Sequence, residues 1–96
     1  MTFSDDKILE RLSSLGLKSW ELKDEKLIKN FQFTSFKEAI NFVNKVAEIS
    51  EILDHHPIIT ISWKTVKISL KSFDVKAITE RDFKLACKIE NSIKSA

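Results

Sequence analysis

A chain of 96 residues with one glycine, one proline and one cysteine has room for a single modest core, and for no flexible linker, repeat or low-complexity tract. Its 16 basic side chains barely outnumber its 14 acidic ones and are spread along the chain, so no basic stripe marks a nucleic-acid footprint. No apolar run reaches membrane-spanning length, the N-terminus lacks a signal-peptide core and a lone cysteine closes no intramolecular disulfide; together these predict one soluble, cytoplasmic domain over residues 1–96.

Ser4, followed by Asp5 and Asp6, has the chemistry of a helix N-cap and an acidic first turn, and Ile8, Leu9, Leu12 and Leu15 supply an apolar face. Gly16 ends this helix, since glycine takes the left-handed conformation without strain, and Leu17 can fold back over the last turn. Trp20 and Leu22 alternate with charged residues up to the polar break Lys23-Asp24-Glu25-Lys26. Leu27, Lys29, Phe31 and Phe33 then restart an every-second-residue pattern, which predicts a hairpin.

Ser35 and Glu38 have capping-box spacing, and Phe36, Ile40, Val43, Val46, Ala47 and Leu53 recur at helical spacing, predicting a second helix that ends near residue 54 or 55. Ile59, Ile61 and Trp63, then Val66, Ile68 and Leu70, alternate with polar residues as two strands joined near Lys64. Ser72, Phe73, Asp74 and Val75 form a loop. Thr79 and Asp82 repeat the capping-box spacing ahead of a last helix whose apolar arc is Phe83, Leu85, Ala86, Cys87, Ile89 and Ile93; there Cys87 is expected to be a buried, inert thiol. The predicted fold class is α+β in the order α-β-β-α-β-β-α, a four-stranded antiparallel sheet with three helices on one face.

Both histidines and the only proline fall in Glu51-Ile52-Leu53-Asp54-His55-His56-Pro57, where helical spacing gives way to alternation. If the helix runs to His55, Glu51 and His55 stand one turn apart on the same face and can hydrogen-bond. Pro57 disfavours the α region for His56, whose ring should swing out of the helical array. Histidine is the side chain whose unperturbed pKa lies nearest neutrality, so a carboxylate-held pair at this place suits proton transfer. A histidine in a last helical turn can also act simply as a C-terminal cap. A metal site built from Glu51, Asp54, His55 and His56 is disfavoured, because adjacent helical side chains diverge by about 100°.

Glu-x-x-x-His-His-Pro over residues 51–57, Trp63, the strand Val66–Leu70 and Thr79-Glu80-Arg81-Asp82 together resemble the pterin-4a-carbinolamine dehydratases. The likeness extends upstream through Trp20-Glu21, Phe31-Gln32-Phe33 and Ser35-Phe36-Lys37-Glu38-Ala39, over nearly the whole chain. It implies the same fold, a homodimer that pairs sheet edges, often doubled to a homotetramer, and a small-molecule pterin as partner, with no metal or organic cofactor. The implied reaction removes water from a 4a-hydroxytetrahydropterin to give the quinonoid dihydropterin, as a hydro-lyase of tetrahydrobiopterin recycling.

By position the resemblance makes His55 and His56 the acid/base pair, with Glu51 polarising His55. It makes Asp54, Pro57, Ser72, Phe73, Asp74, Val75 and Asp82 the substrate's surroundings. Asp82 equally suits a purely capping role. Two departures stand out. Phe73 occupies the place of the family's usual third histidine and can neither donate nor accept a proton, while Ile58 and Ile59 replace an acidic residue and a tryptophan. Because general acid–base catalysis is worth about 10²–10⁴-fold, Phe73 implies reduced activity if that histidine shares the proton work. The alternative is a dimeric protein-binding or assembly module that keeps the fold.

Overall fold

Three helices and four strands follow one another in the expected order: α1 (Asp5–Ser14), β1 (Glu21–Lys23), β2 (Lys26–Gln32), α2 (Phe36–Leu53), β3 (Ile58–Ser62), β4 (Thr65–Leu70) and α3 (Glu80–Lys94). The computed structural model describes residues 3–94. All strand pairs are antiparallel, and the order across the sheet is β1-β2-β4-β3, which leaves β1 and β3 as edges.

The strand period of two decides which side chains meet the helices. Leu22 stands opposite Leu27, Leu27 opposite Leu70, Phe31 opposite Val66 and Ile59 opposite Ile68, so these lie on one face of the sheet. That face closes over Ile8, Leu12, Phe42, Val46, Leu85 and Ile89 from the helices to make one core. Val66, Ile68 and Leu70 have no exposed surface; burying each stabilises the fold by roughly 1.5–3 kcal/mol. Glu21, Asn30, Thr60 and Lys67 point the other way and are exposed.

Local chemistry sets the element ends. The Ser4 side chain accepts from the Lys7 N–H at 3.3 Å. Gly16, at φ 72°, lets the Leu17 N–H return to the Leu12 carbonyl at 2.7 Å, and Leu17 is buried against the last turn. Asp24 and Glu25, at φ 52° and 59°, make the tight turn between β1 and β2, the double left-handed geometry that suits the twist of a hairpin. At the head of α2 the Ser35 hydroxyl accepts from the Glu38 N–H at 3.1 Å, and the Glu38 carboxylate reaches back to the Thr34 N–H at 3.1 Å rather than to the cap residue itself.

Several sequence expectations are corrected. Leu9 and Leu15 lie outside the buried face of α1, which consists of Ile8 and Leu12, because one short helix on the sheet covers a narrower arc than its apolar residues span. The buried stripe of α2 is Ala39, Phe42, Val46 and Ser50, with Ala47 exposed. Trp63 is no strand residue: Ser62 pairs with Thr65, so Trp63 becomes the first residue of the intervening turn, at φ 51° and 69% exposed. Cys87 is only partly buried, and Ile93 is exposed.

Candidate active site

The structure ends α2 at Leu53, one to two residues earlier than helical spacing predicts. Asp54 takes the left-handed conformation, φ 50° and ψ 43°, as the C-cap. Its N–H bonds back to the Glu51 carbonyl at 3.3 Å, and the His55 N–H bonds to the Ser50 carbonyl at 3.1 Å. Glycine usually serves at such a cap, and aspartate is among the few side chains that tolerate it. This early reversal changes the site, because His55 is already outside the helical array.

The expected Glu51–His55 pair is therefore not formed. It is Nε2 of His56 that lies 2.5 Å from Glu51 Oε2, both side chains being exposed. His55 instead turns inward, only 8% exposed, with its Nε2 at 2.6 Å from Asp82 Oδ1. Two adjacent imidazoles are thus each held by a carboxylate, one at the surface and one inside. Carboxylates accept, so in the neutral rings Nε2 of both histidines carries the hydrogen and each Nδ1 is left as an acceptor.

Asp82 ties this corner together. Its side chain has no exposed surface. Oδ2 accepts from the Ser72 hydroxyl at 2.9 Å and from the Thr79 N–H at 2.9 Å, the capping bond that the spacing predicts. Since Ser72 spends its one hydrogen on Asp82, the Thr79 hydroxyl, 2.7 Å away, donates to Ser72 and accepts the Arg81 N–H at 3.3 Å. Capping and the grip on His55 are served by the two oxygens of one carboxylate, so these roles do not compete.

The register brings the remaining candidate residues to the same end of the sheet. Ile58 pairs with Ser69, so His56 and Pro57, just before β3, and Ser72 and Phe73, just after β4, leave the sheet together. Reciprocal backbone bonds between Ser72 and Ala77, at 2.9 and 3.2 Å, close a loop that exposes Phe73 and Val75. Arg81 donates to Asp74 at 2.7 Å, tethering the loop to α3 and holding the Asp74 carboxyl below its ordinary range. Ser72 and Asp82 are fully buried and stand behind the histidines, whereas Asp54, His56, Phe73 and Val75 face outward.

Sequence reasoning missed the supporting role of Ser50 and the hydroxyl chain from Thr79 through Ser72 to Asp82. Ser50 gave a signal, being a polar residue in step with Ala39, Phe42 and Val46; it is buried, donates to the Val46 carbonyl at 2.7 Å and offers its own carbonyl to His55. Three surface hollows, one beside Ile8 and Ile78, one over Phe83 and Cys87, and one at Ile28 and Asn30, contain neither histidine.

Fold and site together define an α+β domain whose middle helix ends in a histidine pair held by two carboxylates. Residues 1–92 match the family described as pterin 4 alpha carbinolamine dehydratase, and the chain belongs to that family. Relatives that carry the pterin-4-alpha-carbinolamine dehydratase name provisionally include one from Acidobacterium capsulatum, 45% identical over 83 residues that span 86% of this chain and 88% of that one. Another, from Sulfurisphaera tokodaii, is 39% identical over 87 residues, 91% of each chain. Among solved structures, a transcriptional coactivator/pterin dehydratase from Brucella melitensis superposes with a TM-score of 0.85 at 28% identity, covering 95% of this chain and 97% of that one. A pterin dehydratase-like protein described as a RuBisCO assembly factor of the alpha-carboxysome superposes with a TM-score of 0.61 at 25% identity, over 75% of this chain and 83% of that one.

Proposed function

We propose that the protein is a hydro-lyase that dehydrates 4a-hydroxytetrahydropterins to the quinonoid dihydropterin. The observation that carries this reading is the histidine pair of a family member, each ring fixed by its own carboxylate. Dehydration of a carbinolamine requires a proton to leave the ring nitrogen and a proton to reach the departing hydroxyl; carbon and nitrogen become doubly bonded and water is released. Glu51 holds His56 through Nε2, which leaves Nδ1 as the base that takes the first proton and, once protonated, as the acid that supplies the second. His55, turned inward and only 8% exposed, is held by Asp82 and serves to position this end of the site from within. The exposed Phe73 ring serves as an apolar surface for the bicyclic pterin. Asp54, Pro57 and Val75 border the substrate, and Asp74 acts through the loop that it tethers to Arg81.

The test follows the ultraviolet absorption of the carbinolamine with and without protein. Accelerated decay is expected, falling by about 10²-fold or more in His56→Ala and rising in Phe73→His. Wild-type protein no faster than buffer would sink the reading. One observation favours a second reading, a non-catalytic assembly module: Phe73 carries no titratable group where the resemblance expects one. On that reading a saturating pterin leaves the melting temperature unmoved, since only a ligand that binds the folded state raises it.

We also propose a homodimer through the β3 edge, where Ile58 and Ile61 are 43% and 40% exposed beside an unpaired backbone ladder. Light scattering should give twice the chain mass, reverting to one in Ile58→Lys. A wild-type monomer at assay concentration would rule this out.

A further inference from the structure

The trough between α1 and α3 contains neither histidine and meets the proposed site only through Arg81, which tethers the Asp74 loop. Long side chains hold the two helices here. Arg11 of α1 reaches over Phe83, its guanidinium carbon 5.0 Å from the ring centroid, and makes a two-pronged pair with Glu80 on α3. Below this clamp is a hollow of about 410 Å³ floored by Leu15, Phe83 and Cys87, with Arg81 and Lys84 on the rim. Leu15, the C-cap of α1, is apolar and left 39% exposed by the fold. Burial also pushes the Cys87 thiol up from its ordinary pKa, as expected of an apolar floor.

The rim is cationic in a regular way. Arg81, Lys84 and Lys88 are exposed at successive turns of one stripe of α3. Arg11 is already matched by Glu80, and Arg81 by Asp74. Among the described residues Lys84 and Lys88 have no carboxylate partner. An apolar slot beside unmatched positive charge fits an occupant that brings an apolar side chain and acidic groups together.

We infer that this trough docks an acidic, amphipathic segment of a partner protein, one large apolar side chain entering against the partly exposed Leu15 and Cys87 and carboxylates meeting Lys84 and Lys88. Charge complementarity selects this class of partner. Phe83 is 1% exposed and offers no open ring face for a base to stack on, which disfavours a single-stranded nucleic acid. The inference is independent of whether the histidine site is catalytic.

The test uses a fluorescein-labelled amphipathic peptide with leucine and phenylalanine on one face and glutamate on the other. Its partner control has every glutamate replaced by lysine. Anisotropy should report binding of the acidic peptide with Kd on the order of 10–100 μM, weakening with salt. The charge reversal Lys84→Glu/Lys88→Glu, checked for an unchanged melting temperature, should weaken it at least about tenfold. Bound peptide should also slow alkylation of Cys87. The inference is overturned by no binding at about 1 mM peptide, by equal binding of the lysine control, by undiminished affinity of the reversed variant, or by unchanged Cys87 alkylation. Self-association of the protein that is abolished by Lys84→Glu/Lys88→Glu would overturn it in favour of a second copy, whose exposed Ile52, next to Glu51 and one turn beyond Glu48, has matching chemistry.

Discussion

Asp82 shows how much a single buried carboxylate can organise. It accepts from His55, from Ser72 and from the Thr79 backbone, so both of its oxygens are engaged and α3, the β4 loop and the end of α2 meet at one group. Asparagine is nearly isosteric but can present only one acceptor oxygen, leaving at least one of these donors facing an NH2 group. An unsatisfied buried donor costs about 1–3 kcal/mol. Asp82→Asn should therefore lower the urea unfolding free energy by about that amount, and Ser72→Ala by about 1 kcal/mol. An Asp82→Asn protein as stable as the parent would mean that the carboxylate is not the hub described. His56 and Glu51 sit in solvent, and His56→Ala should leave stability almost unchanged. A large loss of rate with no loss of stability in that variant distinguishes chemistry from folding.

At the scale of elements, the decisive event is where α2 stops. Asp54 in the left-handed region turns the chain one residue before the histidines and sends the two rings in opposite directions. Aspartate accepts this conformation at a cost that glycine avoids, so Asp54→Gly should raise stability by about 0.5–1 kcal/mol, read as a higher urea midpoint at unchanged slope. A lower midpoint would show that Asp54 contributes something that its backbone geometry does not explain. The same variant probes the proposed substrate border, since a gain in stability combined with a higher KM would place the lost carboxylate against the pterin. The turn between β3 and β4 follows the same logic, with Trp63 left-handed at its head and the Lys64 ammonium 4.5 Å from the indole centroid.

For the whole molecule, two ion pairs, one to α1 and one to the loop after β4, fasten α3 at its N-terminal end. The Arg11 guanidinium holds the Glu80 carboxyl below its ordinary range, and Arg81 does the same for Asp74. A carboxylate whose pKa is lower in the folded state contributes stability that is fully present above its unfolded value. That contribution is lost as pH falls from the ordinary carboxylate range, about pH 4, through the lower folded value. The melting temperature should thus fall on acidification through this window, less steeply in Glu80→Gln and in high salt, because both pairs are exposed. Identical acid limbs for Glu80→Gln and the parent would show that this pair contributes nothing. A different pair, Lys29–Glu90, lies half-buried between β2 and α3, with the ammonium 4.7 Å from the Phe31 ring centroid. Removing either partner there strands a charge away from water and should cost more than losing an exposed pair.

The order of helices and strands, the Ser4, Ser35 and Thr79 caps, the Gly16 stop and the polar Asp24–Glu25 turn were all legible in the chain, because each depends on chemistry within a few residues. Which residues of each amphipathic stripe end up covered was less so: Leu9, Leu15 and Ala47 fit helical spacing yet lie outside the core, since coverage depends on what packs above them. By itself the sequence placed two histidines beside Glu51 and Asp54, and the family resemblance added Asp82 to the surroundings. Only the tertiary structure decided the pairing, giving Glu51 to His56 and Asp82 to His55. The physical reason is that a left-handed cap at Asp54 redirects both rings at once, and that Asp82, 27 residues beyond His55, reaches it only through the packing of α3 against α2.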